Sequence, residues 1–223
     1  MKHTDLPKLI CSRLPDSSRD SWETTVAALR DAQACPLRQA WFPQPQEAFR
    51  PANVRTGWTD SDLIVLAELE DGDIFNPITE LNAMAFQHGD VFEMFLRPTE
   101  QAAYCEFHVS PRNQKLQLRF PSLQAFRTPR VDPGIPPAWI TYDRQITSQV
   151  RIEPERNRWS VLATIPVNMV ADSGRVSPGS RWLFSFSRYD YTQGHATPVL
   201  SSTSPHREVN FHRQEEWGTL LFK

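Results

Sequence analysis

Gly89-Asp90-Val91-Phe92-Glu93-Met94-Phe95-Leu96, and after it Tyr104-Cys105-Glu106-Phe107-His108-Val109, form the stretch that decides the fold. In the first run Phe92, Met94 and Leu96 alternate with Val91, Glu93 and Phe95. In the second, Cys105, Phe107 and Val109 alternate with Tyr104, Glu106 and His108. A period of two belongs to a strand, because successive side chains of a strand point to opposite faces.

The same period continues on both sides. Leu63, Val65, Ala67 and Leu69 alternate with Ile64, Leu66, Glu68 and Glu70, a run apolar on both faces at its start, as a central strand requires. Leu116-Leu118-Phe120, Val150-Ile152, Trp159-Val161-Ala163-Ile165, Trp182-Phe184-Phe186 and Thr219–Phe222 mark further strands. Short alternating runs without interleaved helices indicate an all-β chain, read here as a β-sandwich of two mainly antiparallel sheets. Phe92, Met94, Phe107, Val109, Trp159, Val161, Phe184 and Phe186 are its expected core.

The first fifty residues differ. Asp16–Asp31 reads as a helix with Trp22, Val26 and Leu29 on one side and Ser17, Ser18 or Asp20 as its cap. Pro36 ends any continuation, and the three prolines of the segment from Phe42 to Pro51 imply an extended connection. Residues 1–52 are therefore expected as an N-terminal helical and extended segment packed on a sandwich formed by 53–223. The proline-rich stretch Pro121–Pro137 is expected as an ordered surface loop.

Composition narrows the function. Among 223 residues, 24 Lys and Arg against 26 Asp and Glu leave no basic excess for nucleic acid. No stretch approaches the roughly 18 apolar residues of a membrane span. Residues 1–13 lack the apolar core of a signal peptide, which points to the cytoplasm. The three cysteines, Cys11, Cys35 and Cys105, show no disulfide framework, and Cys105 reads as a small core residue. Oligomeric state is not legible.

Glu93, Tyr104, Glu106 and His108 project opposite the core-like residues of their own strands, as do Ser185, Ser187 and Tyr189. Such a set is either a solvated outer face or a polar groove with aromatic walls. The groove is what a sugar needs. Its hydroxyls take charge-assisted hydrogen bonds, and its C–H faces lie on aromatic rings.

Four segments resemble the family 9 carbohydrate-binding modules, in order, from about Asn53 to Lys223. Gly57-Trp58-Thr59-Asp60-Ser61-Asp62-Leu63-Ile64-Val65 is similar to the family's opening strand. Gly89–Leu96 and Tyr104–Pro111 are similar to its next two strands, and Phe211–Leu220 to its closing segment. The resemblance implies a non-catalytic β-sandwich that holds a mono- or oligosaccharide, associated with polysaccharide breakdown, with calcium in structural sites. In the family's reducing-end binders two tryptophans sandwich the sugar while a Glu and an Arg grip it. The Glu falls on Glu93. The Arg falls on His108, and the tryptophans fall near Phe86 and on Phe211, so the two-tryptophan clamp is absent. Arg188 resembles the Arg of a family strand whose first position is here Ser185. The expected ligand-binding set is Glu93, His108, Glu106, Tyr104, Arg188, Phe211 and Phe86.

Other readings compete. Glu70-Asp71-Gly72-Asp73-Ile74-Phe75-Asn76 gathers oxygens on one loop. Asp71, Asp73 and Asn76 are its candidate calcium ligands, and a solvated Asp-Gly turn is the alternative. Glu93 and Glu106 on adjacent strands could serve a glycoside hydrolase, since cross-strand neighbours stand about 5 Å apart at Cβ. A protein-interaction domain that lost sugar binding is the third possibility. No HExxH or CxxC framework announces zinc. Trp139, Trp159 and Trp182 read as core or rim packing.

Overall fold

In the computed structural model, residues 6–132 and 134–223 are described, so residues 1–5 of the expected N-terminal segment and Pro133 of the proline-rich loop lie outside them. In chain order the strands are β1 (Lys8–Arg13), β2 (Cys35–Pro36), β3 (Ala52–Trp58), β4 (Asp62–Glu70), β5 (Val91–Pro98) and β6 (Tyr104–Val109). They continue with β7 (Lys115–Phe120), β8 (Thr147–Glu153), β9 (Arg158–Pro166), β10 (Arg181–Asp190), β11 (Val199–Ser202) and β12 (Gly218–Phe222). The helices α1 (Trp22–Ala28), α2 (Leu123–Arg127) and α3 (Val167–Val170) are short. None is long and apolar enough to cross a membrane.

The expected strands form where alternation placed them. Their assembly differs from the expected pair of antiparallel sheets. One continuous path runs β7-β6-β5-β10-β12-β1-β3-β4-β9-β8, with β11 on β10 and β2 on β3. Strand β1 joins its two halves and is parallel to both β12 and β3. The fold is thus a mostly-β, curled mixed sheet. The inner faces of both halves share one core, in which Phe92, Met94, Phe107, Val109, Trp159, Val161, Phe184 and Phe186 are all 1 % exposed or less.

Residues 8–13, expected in the segment packed outside the sheet, are thus a strand within it. Two glycines make room beside them. A Cβ on Gly57 would meet Leu14 at 2.6 Å, and one on Gly218 would meet the Pro7 carbonyl at 2.7 Å. The Thr219 amide donates to that same carbonyl at 2.8 Å.

The helix expected over Asp16–Asp31 is broken. A single 3-10 turn spans Asp16–Arg19, and α1 starts after the extended Ser21, whose hydroxyl accepts from the Thr24 amide in a capping box. Ser21 is the cap, not Ser17, Ser18 or Asp20. Trp22, Leu29 and the half-buried Val26 cover Ile64, Leu66 and Leu162, which explains why β4 is apolar on both faces.

The outer face of the other half is covered as well. Phe95, Tyr104, Leu116, Leu118, Phe120, Phe211 and Trp217 form a second apolar cluster there. Its cover comes from two distant segments, the 121–142 loop and the 209–217 loop. The first is pinned by the Thr141 amide on the Gln117 carbonyl and by the Asn82 side-chain amide on the Thr141 carbonyl. Within it Ser122 caps α2, so the stretch is more structured than its prolines suggest.

Candidate functional site

Pairing places Glu93 on β5 directly opposite His108 on β6, with Ser187 of β10 on its other side. Glu106 precedes His108 by two residues and so shares its face. His108 Nε2 lies 2.6 Å from Glu106 Oε1 and 3.1 Å from Glu93 Oε1. All three are buried, at 2 % exposure for Glu93, 6 % for Glu106 and 1 % for His108. These residues, read by parity as one polar face, meet in the structure and are buried beneath a cavity rather than spread on a solvated surface.

Glu93 and Glu106 reach a cavity of about 340 Å³ whose walls include Phe86, Phe126, Arg130, Trp139, Tyr189 and Phe211. Glu93 Oε2 is buried without a hydrogen-bond partner, as are His108 Nδ1 and Arg130 Nε, and Glu106 Oε2 makes no hydrogen bond but lies 3.5 Å from His212 Nε2. Unpartnered buried polar atoms are costly, and in a native site they mark the place of an absent water, ion or ligand. A larger cleft of about 560 Å³ lies between the N-terminal segment and residues 203–205. It is lined by Lys8 and Arg38 without a carboxylate or imidazole, and carries no comparable chemistry.

The three titratable groups divide their charge unevenly. Burial pushes the Glu93 carboxyl up to about 8; His108 opposes that shift and Glu106 adds to it. Burial acts the same way on Glu106, but the hydrogen bond and charge of His108 outweigh it, and its pKa falls below the ordinary carboxylate value. Burial alone would lower His108; the two carboxylates win and raise it. The environment thus favours the charged form of His108, the ionised form of Glu106 and the protonated form of Glu93.

Phe86 and Phe211 both line the cavity. Phe86 packs edge-on to His108 at 5.6 Å and against Tyr189 at 5.5 Å, while Phe211 packs on Phe95 and Tyr189. Tyr104 does not line the cavity. It is fully buried, stacked on Phe120 at 4.5 Å, and its hydroxyl meets His212 Nδ1 at 2.9 Å. It therefore positions His212, which does line the cavity.

Arg188 is not at this site. It follows Ser187 and so projects to the opposite face of β10. There it is fully buried, donating to the Glu70 carbonyl at 2.6 Å and to Asp71 Oδ2 at 2.9 Å, with Asp190 Oδ1 at 3.1 Å. A charge on the core-facing side of a strand needs partners, and the 70–73 loop supplies them.

The oxygens expected to bind calcium are engaged elsewhere. Asp71 accepts from the Asp73 amide, Trp159 Nε1 and Arg188. Asp73 accepts from the Gln193 amide and side chain, and Asn76 Oδ1 from the Ile78 amide. Asp71 also groups with Asp90 and Asp190, one carboxylate oxygen of each lying within 4.8 Å of the others, and Arg188 reaches both Asp71 and Asp190.

Sequence reasoning missed Phe126, Arg130 and His212, and read Trp139 as packing. Arg130 lies over the Trp139 ring at 4.7 Å and brings a cation to the cavity. No local periodicity marks these residues, because they sit on loops.

The curled β-sheet carries an aromatic and acidic cavity on one outer face. Compared with known proteins, the sequence matches no family model and no curated protein. Solved structures do match. A candidate carbohydrate-binding protein from Bacteroides uniformis is similar over 98 % of this chain and 100 % of its own, with TM-score 0.75 and 16 % identity. A family 9 carbohydrate-binding module from Caldicellulosiruptor kristjanssonii in complex with cellotriose covers 97 % of this chain and is itself covered over 94 %, with TM-score 0.64 and 14 % identity. The glucose complex of a family 9 module from that organism gives TM-score 0.63 at 15 % identity, covering 97 % of this chain and 96 % of its own. The chain has a fold like that of the family 9 carbohydrate-binding modules.

Proposed function

We propose that this protein binds a mono- or oligosaccharide in the Glu93–Glu106 cavity and does not cleave it. The observation that carries the reading is the pair of carboxylate oxygens without a hydrogen bond, Glu93 Oε2 and Glu106 Oε2, at the floor of an aromatic-walled cavity. They are acceptors for sugar hydroxyls, Arg130 and His212 are donors, and Phe86, Trp139 and Phe211 offer faces for the ring C–H groups. The fold it shares with glucose- and cellotriose-bound modules supports this reading, as does its sandwich-like core between two sheet halves. A link to polysaccharide breakdown belongs to the same proposal.

Hydrolysis is disfavoured by how the acids are held. Retaining and inverting enzymes place two carboxyls about 5–9.5 Å apart on opposite sides of a glycosidic bond. Here both acids contact a single imidazole nitrogen from one side, at 2.6 and 3.1 Å.

Calorimetry with glucose and cellotriose tests the proposal. Glu106→Gln and Trp139→Ala should each weaken binding about tenfold or more, the loss of a charge-assisted bond or a stacking face. Binding unchanged in both places the sugar elsewhere. No binding in wild type supports a protein-interaction domain that lost its sugar.

The 70–76 loop is read as a hydrogen-bonded turn in which the Arg188 guanidinium stands where a cation would. Adding calcium chloride should leave the melting temperature unchanged. A rise with calcium would show that the loop rearranges to bind it.

A further inference from the structure

We propose that Glu93, Glu106 and His108 bind a divalent transition-metal ion of the zinc class at the floor of the cavity, with one coordination position open to it. The ligand atoms of the three side chains lie within 4.8 Å of one another. Zinc holds nitrogen and oxygen ligands at about 2.0–2.2 Å, which sets tetrahedral ligand pairs about 3.4 Å apart. The Nε2 to Glu93 distance, 3.1 Å, is near that edge, and the Nε2 to Glu106 distance, 2.6 Å, needs only a small opening.

A second, independent observation points to a ligand. Glu93, 98 % removed from solvent, keeps an oxygen that no protein donor satisfies, and Glu106 Oε2, in a residue 94 % removed from solvent, has no hydrogen bond and only His212 Nε2 at 3.5 Å. Both acids line the cavity, so an ion can enter and a water or sugar hydroxyl can complete its shell. The donor set selects the metal. One imidazole and two carboxylates suit a borderline ion such as zinc, whereas calcium takes only oxygens and more of them. His108 Nδ1 has no acceptor to fix the ring, and metal-binding histidines usually have one. The affinity should therefore be modest, about micromolar.

The site is invisible to motif reading because strand geometry builds it. Glu106 and His108 share a face at a spacing of two, and Glu93 comes from across the ladder.

Zinc chloride titrated calorimetrically into the chelator-treated, dialysed full chain is the test, with cobalt(II) as a spectroscopic probe. Wild type should bind one ion per chain, and cobalt should give the visible absorption of a low-coordinate site. Glu106→Gln and His108→Ala should each weaken zinc binding at least tenfold, while His88→Ala, at an exposed histidine elsewhere, should not. If His108→Ala does not fold, the near-isosteric Glu106→Gln carries the comparison. No zinc uptake, or equal uptake by wild type and Glu106→Gln, overturns the inference. Sugar titration of the same metal-free protein separates the two readings. Sugar bound without any zinc uptake defeats the metal site alone, and zinc bound without sugar defeats the carbohydrate reading alone.

Discussion

Replacing Arg188 by alanine should destabilise the protein by about 3–5 kcal/mol, the cost of breaking a buried ion pair from one side. The guanidinium is fully buried and bridges Asp71, Asp190 and the Glu70 carbonyl. Its removal leaves Asp71, Asp90 and Asp190 clustered without their cation. Arg188→Met, which keeps much of the volume, should lose nearly as much, because the damage lies in the acids left behind. A loss below about 1 kcal/mol by denaturant unfolding would mean that water or relaxation replaces the cation.

The effect has a pH signature. Burial and the Asp71 charge push Asp90 up to about 8. Burial pushes Asp190 up to about 7, with Arg188 opposing the shift. These acids hold protons in the fold at pH values where the unfolded chain has lost them. They therefore subtract stability as pH rises from their unfolded values, near 4, to their folded ones. Removing Arg188 raises both pKa values further, so the variant binds more protons and its stability falls more steeply. The gap between wild type and Arg188→Ala should be wider at about pH 8 than at about pH 5. A gap that narrows with pH would contradict this charge assignment.

Trp217→Ala should cost about 3–5 kcal/mol and should also weaken sugar binding. Trp217 is 1 % exposed, packs on Phe95 and Tyr104, and donates from Nε1 to the Phe211 carbonyl at 2.7 Å. It anchors the loop that carries Phe211 and His212, so its loss opens a void behind one wall of the cavity. Trp217→Phe should recover much of the packing but not the hydrogen bond to the wall. Calorimetry on folded Trp217→Phe checks the second half of this expectation. Sugar affinity equal to wild type would show that the wall is held without it.

Much of the fold was legible because a strand's pleat is local. The alternation of Phe92, Met94 and Leu96, and that of Cys105, Phe107 and Val109, gave the core-facing side of each of two strands that the structure pairs on one inner face. The same parity put Glu93, Glu106 and His108 on the non-core side of their own strands, and the β5–β6 pairing brought them together. Strand β1 escaped notice because Lys8–Arg13 buries only Leu9 and Cys11 and takes its meaning from β12 and β3, far along the chain. Parity also fixed which side of β10 Arg188 occupies, and there the family resemblance misled.

What only the tertiary structure decided is whether a face is wet. The sequence determined that two acids and a histidine lie opposite the core-facing residues of their own strands. It could not determine that the 121–142 and 209–217 loops cover that side, turning an outer face into a cavity with Phe126, Arg130, Trp139 and His212 in its walls. Burial is set by what packs from elsewhere in the chain. Alternation records only the direction of each side chain, and coverage depends on contacts that no local pattern encodes.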